Sequence, residues 1–172
     1  YPLLPSPPRF RSQLFAQGAV RAGRGTREGE VIVQTYHPEE WSIQMAAEHD
    51  YQSFYQKETE QRRELGYPPF NHLILLIFSG NILKDVTARA QGFSFRLRGK
   101  VSSEKQKGVE FLGPAPAPLA KIKNQYRWQL LIKTNNVTAT GNLIRRILEE
   151  DNDSQTKKTV HVIANVDPMN ML

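Results

Sequence analysis

The chain has 172 residues, a net charge of +6 and a hydrophobic fraction of 39%, which suits one domain or slightly more and excludes two large cores. It contains no cysteine, so disulfide bonds and thiolate metal sites are excluded within it. No apolar run approaches the roughly 18 residues of a membrane span, and the first residues lack the layout of a signal peptide. We therefore expect a cytoplasmic protein that makes no membrane contact.

The first part of the chain predicts one strand and two helices. Residues 30–36 form a short β-branched run between glycine and proline, which indicates a strand. Residues 39–65 have helical spacing with a break near Asp50, whose side chain can cap the second helix. The prolines in residues 66–70 must end that helix, because proline cannot continue it.

The remaining chain predicts alternating strands and helices. We expect strands at residues 73–78, 109–112, 126–133 and 160–166, and helices at residues 81–100 and 138–150. Residues 113–118, with the sequence GPAPAP, indicate a stiff extended connector, since alternating prolines favour polyproline geometry. The order β-α-β-β-α-β predicts an α+β fold of the split βαβ type, with two helices on one face of a four-stranded antiparallel sheet.

Charge is distributed unevenly along the chain. Residues 1–27 contain five arginines and no acid, residues 28–64 contain nine acids and three bases, and residues 113–148 contain six bases and no acid. A long stretch of one sign within a folded pattern is typical of a surface that binds a polyanion. The alternative is a solvated basic face. The candidate DNA-binding residues are Lys121, Lys123, Tyr126, Arg127, Lys133, Arg145 and Arg146.

The candidates on the predicted strand divide between its two faces. Period-2 geometry places Tyr126 and Trp128 on one face with Leu130, so each is either core or a base-stacking platform. Arg127 and Lys133 lie on the opposite face. Because the helices need to cover only one face, we expect this second face to be open and its cations to contact phosphates.

The other candidates lie outside that strand. Lys121 and Lys123 follow the proline-rich segment, where long cations are free to follow a phosphate backbone. Arg145 and Arg146 each precede a glutamate by four residues, so ion pairs along the helix are an alternative to DNA contact.

A pair of arginines near the start of the chain suggests a nucleotide site. In the segment QGAVRAGRG, Gln17, Arg21 and Arg24 lie among small residues, and guanidinium groups donate bidentate hydrogen bonds to phosphate oxygens. In nucleotide-driven motors such arginines stabilise charge during γ-phosphate transfer. The chain has no GxxxxGK[ST] phosphate loop, nor a catalytic set or metal-spaced cluster of its own. We therefore expect a part of a larger machine that is inactive alone and binds no metal.

Several motifs then occur in order. The arginine pair is followed by DYxxFYxxE and RRxLGYPPF within residues 50–70, LGPAPAP at 112–118, YRWQ at 126–129 and VDP at 166–168. Together they resemble the primosomal protein N′ family of bacterial replication-restart DNA helicases. The resemblance covers almost the whole chain and corresponds to the carboxyl-terminal quarter of the family.

The resemblance implies a fold and an activity. Residues 1–38 would be the end of the second RecA-like motor lobe with its last strand, residues 39–66 linker helices, and residues 67–172 a DNA-binding domain similar to a small-subunit ribosomal protein. Arg21 and Arg24 would act in catalysis, and with Gln17 they would contact ATP. The parent would be a 3′→5′ helicase that restarts stalled forks and starts primosome assembly.

The resemblance also implies ligands and partners. ATP and magnesium would act in the parent, and zinc in a cysteine-rich insertion outside this chain, with none of them bound by this chain alone. The expected partners are single-stranded and forked DNA, single-stranded DNA-binding protein and other primosome proteins, in the bacterial cytoplasm near the nucleoid. The family pattern QVAGRAGR differs here, because Gly18 and Val20 are exchanged, which leaves the function of that segment open. An alternative function is protein recruitment through the acidic tail of single-stranded DNA-binding protein, since a basic groove attracts an acidic peptide as readily as phosphate.

Overall fold

The structure is a computed structural model, which describes residues 32, 34–48, 50–151 and 159–168. The elements in chain order are α1 (Trp41–Ala47), α2 (Tyr51–Glu64), β1 (His72–Gly80), α3 (Leu83–Ser103), β2 (Val109–Ile122), β3 (Gln125–Thr134), α4 (Val137–Glu150) and β4 (Val160–Val166). The chain divides into two compact units, with the boundary between Leu65 and Gly66.

The first unit contains α1 and α2. The predicted break between them is confirmed, because the Asp50 carboxylate accepts a hydrogen bond from the Ser53 backbone N–H at 3.0 Å and caps α2. The Trp41 ring of α1 lies 5.4 Å from the Phe54 ring of α2. These two rings join the short helix to the longer one.

The strand predicted at residues 30–36 is wrong where the structure describes that segment. Residues 34–36 are not in a strand, and the His37 N–H donates instead to Thr35 Oγ1 at 3.1 Å. A β-branched run becomes a strand only when a neighbouring strand satisfies its backbone groups. Within the described residues, no strand pairs with this segment.

The second unit has the predicted β-α-β-β-α-β order. Its four strands form one antiparallel sheet in the order β2-β3-β1-β4. Helices α3 and α4 both pack on one face of it, as predicted, because the core joins alternate residues of β1 and β3 to the apolar stripes of both helices. The centre of this core is the edge-to-face pair of Phe78 and Phe93, with ring centroids 5.6 Å apart.

The proline-rich segment is part of β2 and is not a connector outside the sheet. Strand β2 runs from Val109 to Ile122 and is an edge strand, the position in a sheet that tolerates proline. The pairing with β3 shifts between Leu112 and Ala115. Gly113 lies at this irregularity with φ +98°, and a Cβ there would meet the Gln129 carbonyl oxygen at 3.0 Å, so this position favours glycine.

The face of the sheet that carries Arg127 and Lys133, opposite the helices, is not open along its length, contrary to the sequence-based expectation. Leu131 on this face is 2% exposed and its neighbour Leu75 is also 2% exposed. Lys133 is largely buried there, with its ammonium 4.9 Å from the centre of the Tyr67 ring. Exposed positions on this face lie on the two edge strands, at Glu110 and Leu112 of β2 and at His161, Ile163 and Asn165 of β4.

The VDP motif forms hydrogen bonds between the end of β4 and the start of β1. The Asp167 carboxylate accepts from the Leu73 N–H at 2.8 Å, while the Asp167 N–H donates to the Leu73 carbonyl at 2.7 Å. Its other oxygen lies 2.8 Å from His72 Nδ1. This part of the family pattern therefore fixes the end of β4 against β1.

Candidate nucleic-acid interface

The turn between β2 and β3 presents cations to solvent. Lys123 and Asn124 have φ values of 47° and 63°, the left-handed geometry of a tight hairpin turn. Lys121, just before it, and Lys123 are exposed, and Arg127 follows two residues inside β3. We call Lys121, Lys123 and Arg127 the hairpin-tip cluster. Within the described residues, none of the three forms an ion pair with an acid.

Tyr126 lies on the helix-covered face of β3. It is half-buried and packs against the core together with Trp128, which supports the core alternative for both rings. The Lys121 ammonium lies 4.8 Å from the centre of the Tyr126 ring, a cation–π distance. One face of this ring is therefore already occupied by a cation, and base stacking by Tyr126 stays a prediction.

Lys133 differs from the residues of the hairpin-tip cluster because it forms an ion pair with an acid. Its ammonium lies 3.5 Å from the Glu110 carboxylate on the directly paired position of β2, and its side chain is 15% exposed. Burial raises the pKa of the neighbouring Tyr67 hydroxyl. The Glu110 carboxylate offsets part of the field of this ammonium group, and DNA contact by Lys133 stays a prediction.

Arg145 and Arg146 are both exposed on α4 but differ in their partners. Arg146 pairs with Glu104 beyond the end of α3, at 2.7 Å, and does not use the glutamate four residues later. Glu150 instead binds Lys100 of α3. These pairs join the two helices, and Arg145 forms no ion pair with an acid among the described residues.

A basic cleft lies between the end of α3 and the start of β2, where the sequence predicted no site. It has a volume of about 590 Å³, and Val101, Val109 and Phe111 line it. Arg98, Lys105 and Lys107 also line it, and we call these three the cleft cluster. Within the described residues, none of them pairs with an acid.

The cleft cluster is fixed by the ends of two elements. The Arg98 guanidinium lies 4.6 Å from the centre of the Phe111 ring and donates to the Gly113 carbonyl at 3.1 Å. Lys105 has a φ of 52° directly after α3 ends, which turns the chain toward β2. In sequence Lys105 and Lys107 follow Glu104 and flank Gln106, so only the KQKG run after a helix end hints at them. Arg98 lies earlier, within α3, and has no such signal.

One buried charge cluster lies between α3 and the end of α4. The Asp151 carboxylate is 2.6 Å from Arg96 and 3.8 Å from Arg89, whose side chain is only 5% exposed. The hydrogen bond to Asp151 raises the pKa of Arg96, whereas burial lowers the pKa of Arg89 and the Asp151 charge opposes this effect. The arrangement ties the two helices together.

Other sequence-based candidates have no described geometry. Gln17, Arg21 and Arg24, together with Gly18 and Val20, lie outside the described residues. Among the residues that are described, no group of three His, Cys, Asp or Glu side chains is arranged to hold a metal. In the same part of the chain, no helix is long and apolar enough to cross a membrane.

Comparison with known families decides where the chain belongs. The family model of the primosomal protein N C-terminal domain matches residues 63–169, which include the whole sheet and both of its helices. The chain belongs to this family. The primosomal protein N C-terminal domain thus contains the hairpin-tip and cleft clusters, as well as the proline-rich edge strand.

Curated relatives of this primosomal domain are bacterial proteins named replication restart protein PriA. That of Bacillus subtilis is 35% identical over 170 residues, which is 96% of this chain and 21% of the relative. That of Synechocystis is 41% identical over 121 residues, covering 70% of this chain and 14% of the relative. That of Haemophilus influenzae is 29% identical over 160 residues, covering 93% and 21%. The match therefore spans about a fifth of the first and third of these relatives, and a smaller share of the second.

Proposed function

We propose that this chain is the carboxyl-terminal part of a replication restart helicase and that its second unit binds DNA through the phosphate backbone. The observation that carries the proposal is the hairpin-tip cluster, in which Lys121 and Lys123 are exposed and Arg127 is half-buried. None of these three pairs with an acid among the described residues, whereas Lys100, Lys133 and Arg146 are held by acids. Contacts to phosphates position a protein on DNA but carry no sequence information. Binding is therefore expected to be weak and independent of sequence.

The salt dependence of binding tests this proposal. Each phosphate contact releases counterions and contributes about 0.9 to the slope of log affinity against log salt on a duplex. A variant with Lys121→Gln and Lys123→Gln loses two contacts. Its slope should become shallower by about 1.8, and its affinity for a duplex should fall several-fold at about 50 mM salt.

A matched control carries Lys100→Gln and Arg146→Gln. It changes the net charge by the same amount, but both cations are paired with glutamates between the two helices. We expect its salt slope to stay within about half a contact of the unaltered chain. A control that weakens binding as much as the hairpin-tip variant, or an affinity that does not respond to salt, contradicts the proposal.

The activity of the whole parent belongs to the same proposal. Relatives of this chain are named for replication restart, and the motor, its ATP and magnesium site and a zinc insertion would lie in the larger part of the parent. The arginines at positions 21 and 24 would complete the nucleotide site there. The RecA-like lobe and the likeness to a small-subunit ribosomal protein rest on the family resemblance alone.

A second candidate function is protein recruitment. The unpaired cations on the primosomal domain would attract the acidic tail of single-stranded DNA-binding protein as they attract phosphate. Titrating an acidic tail peptide against labelled single-stranded DNA distinguishes the two functions. Mutual exclusion indicates one shared basic surface, whereas simultaneous binding indicates separate sites.

A further inference from the structure

The hairpin-tip cluster and the cleft cluster lie at opposite ends of β2. Lys107 precedes the first residue of β2 by two positions, and Lys123 directly follows its last residue. Between these ends, β2 runs along the ten-residue strand β3, from Val109 opposite Thr134 to Ile122 opposite Gln125, with two shifts in register. A strand of that length spans roughly 30 Å.

The edge between the two clusters carries one acid, Glu110, and this acid is paired with a lysine. Residues 111–120 contain no charged side chain at all. The acid within β2, Glu110, faces Lys133 at 3.5 Å, and Glu104 beside the cleft is held by Arg146 at 2.7 Å. Among the described residues, a polyanion that follows this edge therefore meets cations at both ends and neutral surface between them.

The same edge is unsuited to an extended peptide. Pro114, Pro116 and Pro118 lack the backbone N–H that an added strand would need as a donor. In the cleft, Arg98 already lies over the Phe111 ring, which leaves that ring less accessible to an apolar side chain. A phosphate backbone needs neither donors from β2 nor an apolar floor, so these observations favour nucleic acid over an acidic peptide.

We propose that the cleft cluster is a second phosphate-binding site and that one DNA molecule binds along the β2 edge, with one cluster at each end. This inference rests on the proposed DNA binding. One strand of a B-form duplex has a phosphate about every 3.4 Å, so a span of roughly 30 Å corresponds to about nine phosphates. A shorter duplex reaches one cluster at a time, whereas a longer one binds both.

Binding to duplexes of increasing length tests the inference with the full chain. When one contact is made, the second becomes intramolecular, so the affinity should rise by about tenfold or more once the duplex reaches both clusters. We expect this step between about 8 and about 14 base pairs at about 50 mM salt, on the spacing of one phosphate per 3.4 Å. The salt slope should become steeper across the same step.

The variant with Lys105→Gln and Lys107→Gln separates the inference from the proposed function. Both side chains are exposed, so circular dichroism should show an unchanged fold. The variant should still bind short duplexes, through the remaining hairpin-tip cluster, and should lose the step. A step that survives in this variant, or a smooth length dependence in the unaltered chain, overturns the inference while DNA binding stands.

Two further outcomes are informative. If the unaltered chain binds neither short nor long duplexes, the proposed DNA-binding function itself fails. A short acidic peptide is the other probe. The cleft belongs to a protein partner if this peptide binds the unaltered chain but not the Lys105→Gln, Lys107→Gln variant, while the variant keeps its full affinity for long duplexes. That result overturns the second phosphate site.

Discussion

At the scale of single residues, ion pairs decide which cations remain available. Lys133 and Arg146 look equivalent to Lys121 and Lys123 in sequence, but each of the first two lies beside a glutamate brought there by the fold. A phosphate would have to displace that glutamate before it could bind. An exposed cation that has no acid nearby can bind a polyanion without this cost. The hairpin tip is therefore the better candidate for DNA binding.

The buried Asp151 should be the most sensitive charge in the domain. Removing one partner of a buried ion pair leaves the other without compensation, and Arg89 is only 5% exposed. We expect Asp151→Asn to lower the free energy of unfolding by about 3 kcal/mol, measured by urea denaturation. Glu150→Gln is the control, since its partner Lys100 is partly solvated and such surface pairs contribute less than about 1 kcal/mol. Equal effects of the two changes would contradict this account.

At the scale of elements, capping makes α2 sensitive to acid. The hydrogen bonds from the Ser53 side chain and its backbone N–H hold the pKa of Asp50 below its ordinary value. Because the pKa is lower in the folded state, the ionised cap stabilises α2 at neutral pH, and this stabilisation is lost as the pH falls through the folded-state pKa.

The acid sensitivity of α2 should therefore appear below about pH 4. In NMR spectra, the Ser53 amide signal should titrate in that range as α2 loses helical signal. The variant Asp50→Asn keeps a capping side chain but has no carboxylate to titrate, so its Ser53 amide should be insensitive to acid. An equally large titration in the variant would show that another group controls the helix.

Strand β3 is packed on both faces, so substitutions on either face should lower the stability of the domain. Trp128 packs against the helix-covered core and Leu131 is buried on the other face. We expect Trp128→Ala and Leu131→Ala each to lower the free energy of unfolding by about 3 kcal/mol, whereas half-buried Arg127→Ala should cost less than about 1 kcal/mol. Urea denaturation measures all three. If Leu131→Ala left the free energy of unfolding unchanged, this face of β3 would be open, as the sequence predicted.

At the scale of the whole molecule, the second unit combines a rigid sheet with two separated charge clusters. Its core is formed by alternate residues of β1 and β3 against two helices, and the edge strand β2 packs Val109 and Phe111 against this core from the border of the sheet. Cations placed at the two ends of such a strand keep a fixed spacing. This is the property that makes a length-dependent response to DNA a meaningful test.

The motifs that revealed the family are mainly structural in the second unit. Gly113 permits the close approach of β2 to β3, and Asp167 fixes the end of β4 to β1. Trp128 belongs to the packing around the core. Such residues identify a fold because packing and backbone geometry tolerate few alternatives at these positions. They say less about the ligand than about the scaffold that presents it.

The sequence by itself determined the order of elements in the second unit, the placement of both helices on one face of the sheet and the cap of α2. These follow from local periodicity and capping, which neighbouring residues encode. It did not reveal that residues 113–118 join the sheet, because only the pairing of β2 with β3 makes an edge strand of them.

The tertiary structure alone decided which charges are free. Lys100 meets Glu150 and Arg146 meets Glu104 across 50 and 42 residues of sequence, and the cleft cluster combines residues from the end of a helix and the loop that follows it. The net charge of a segment is found by counting its charged residues in the sequence. The electric field at the surface, in contrast, depends on which opposite charges lie within a few ångströms of each cation. That distance is set by the fold, so the residues that bind a polyanion are identified only once the chain is folded.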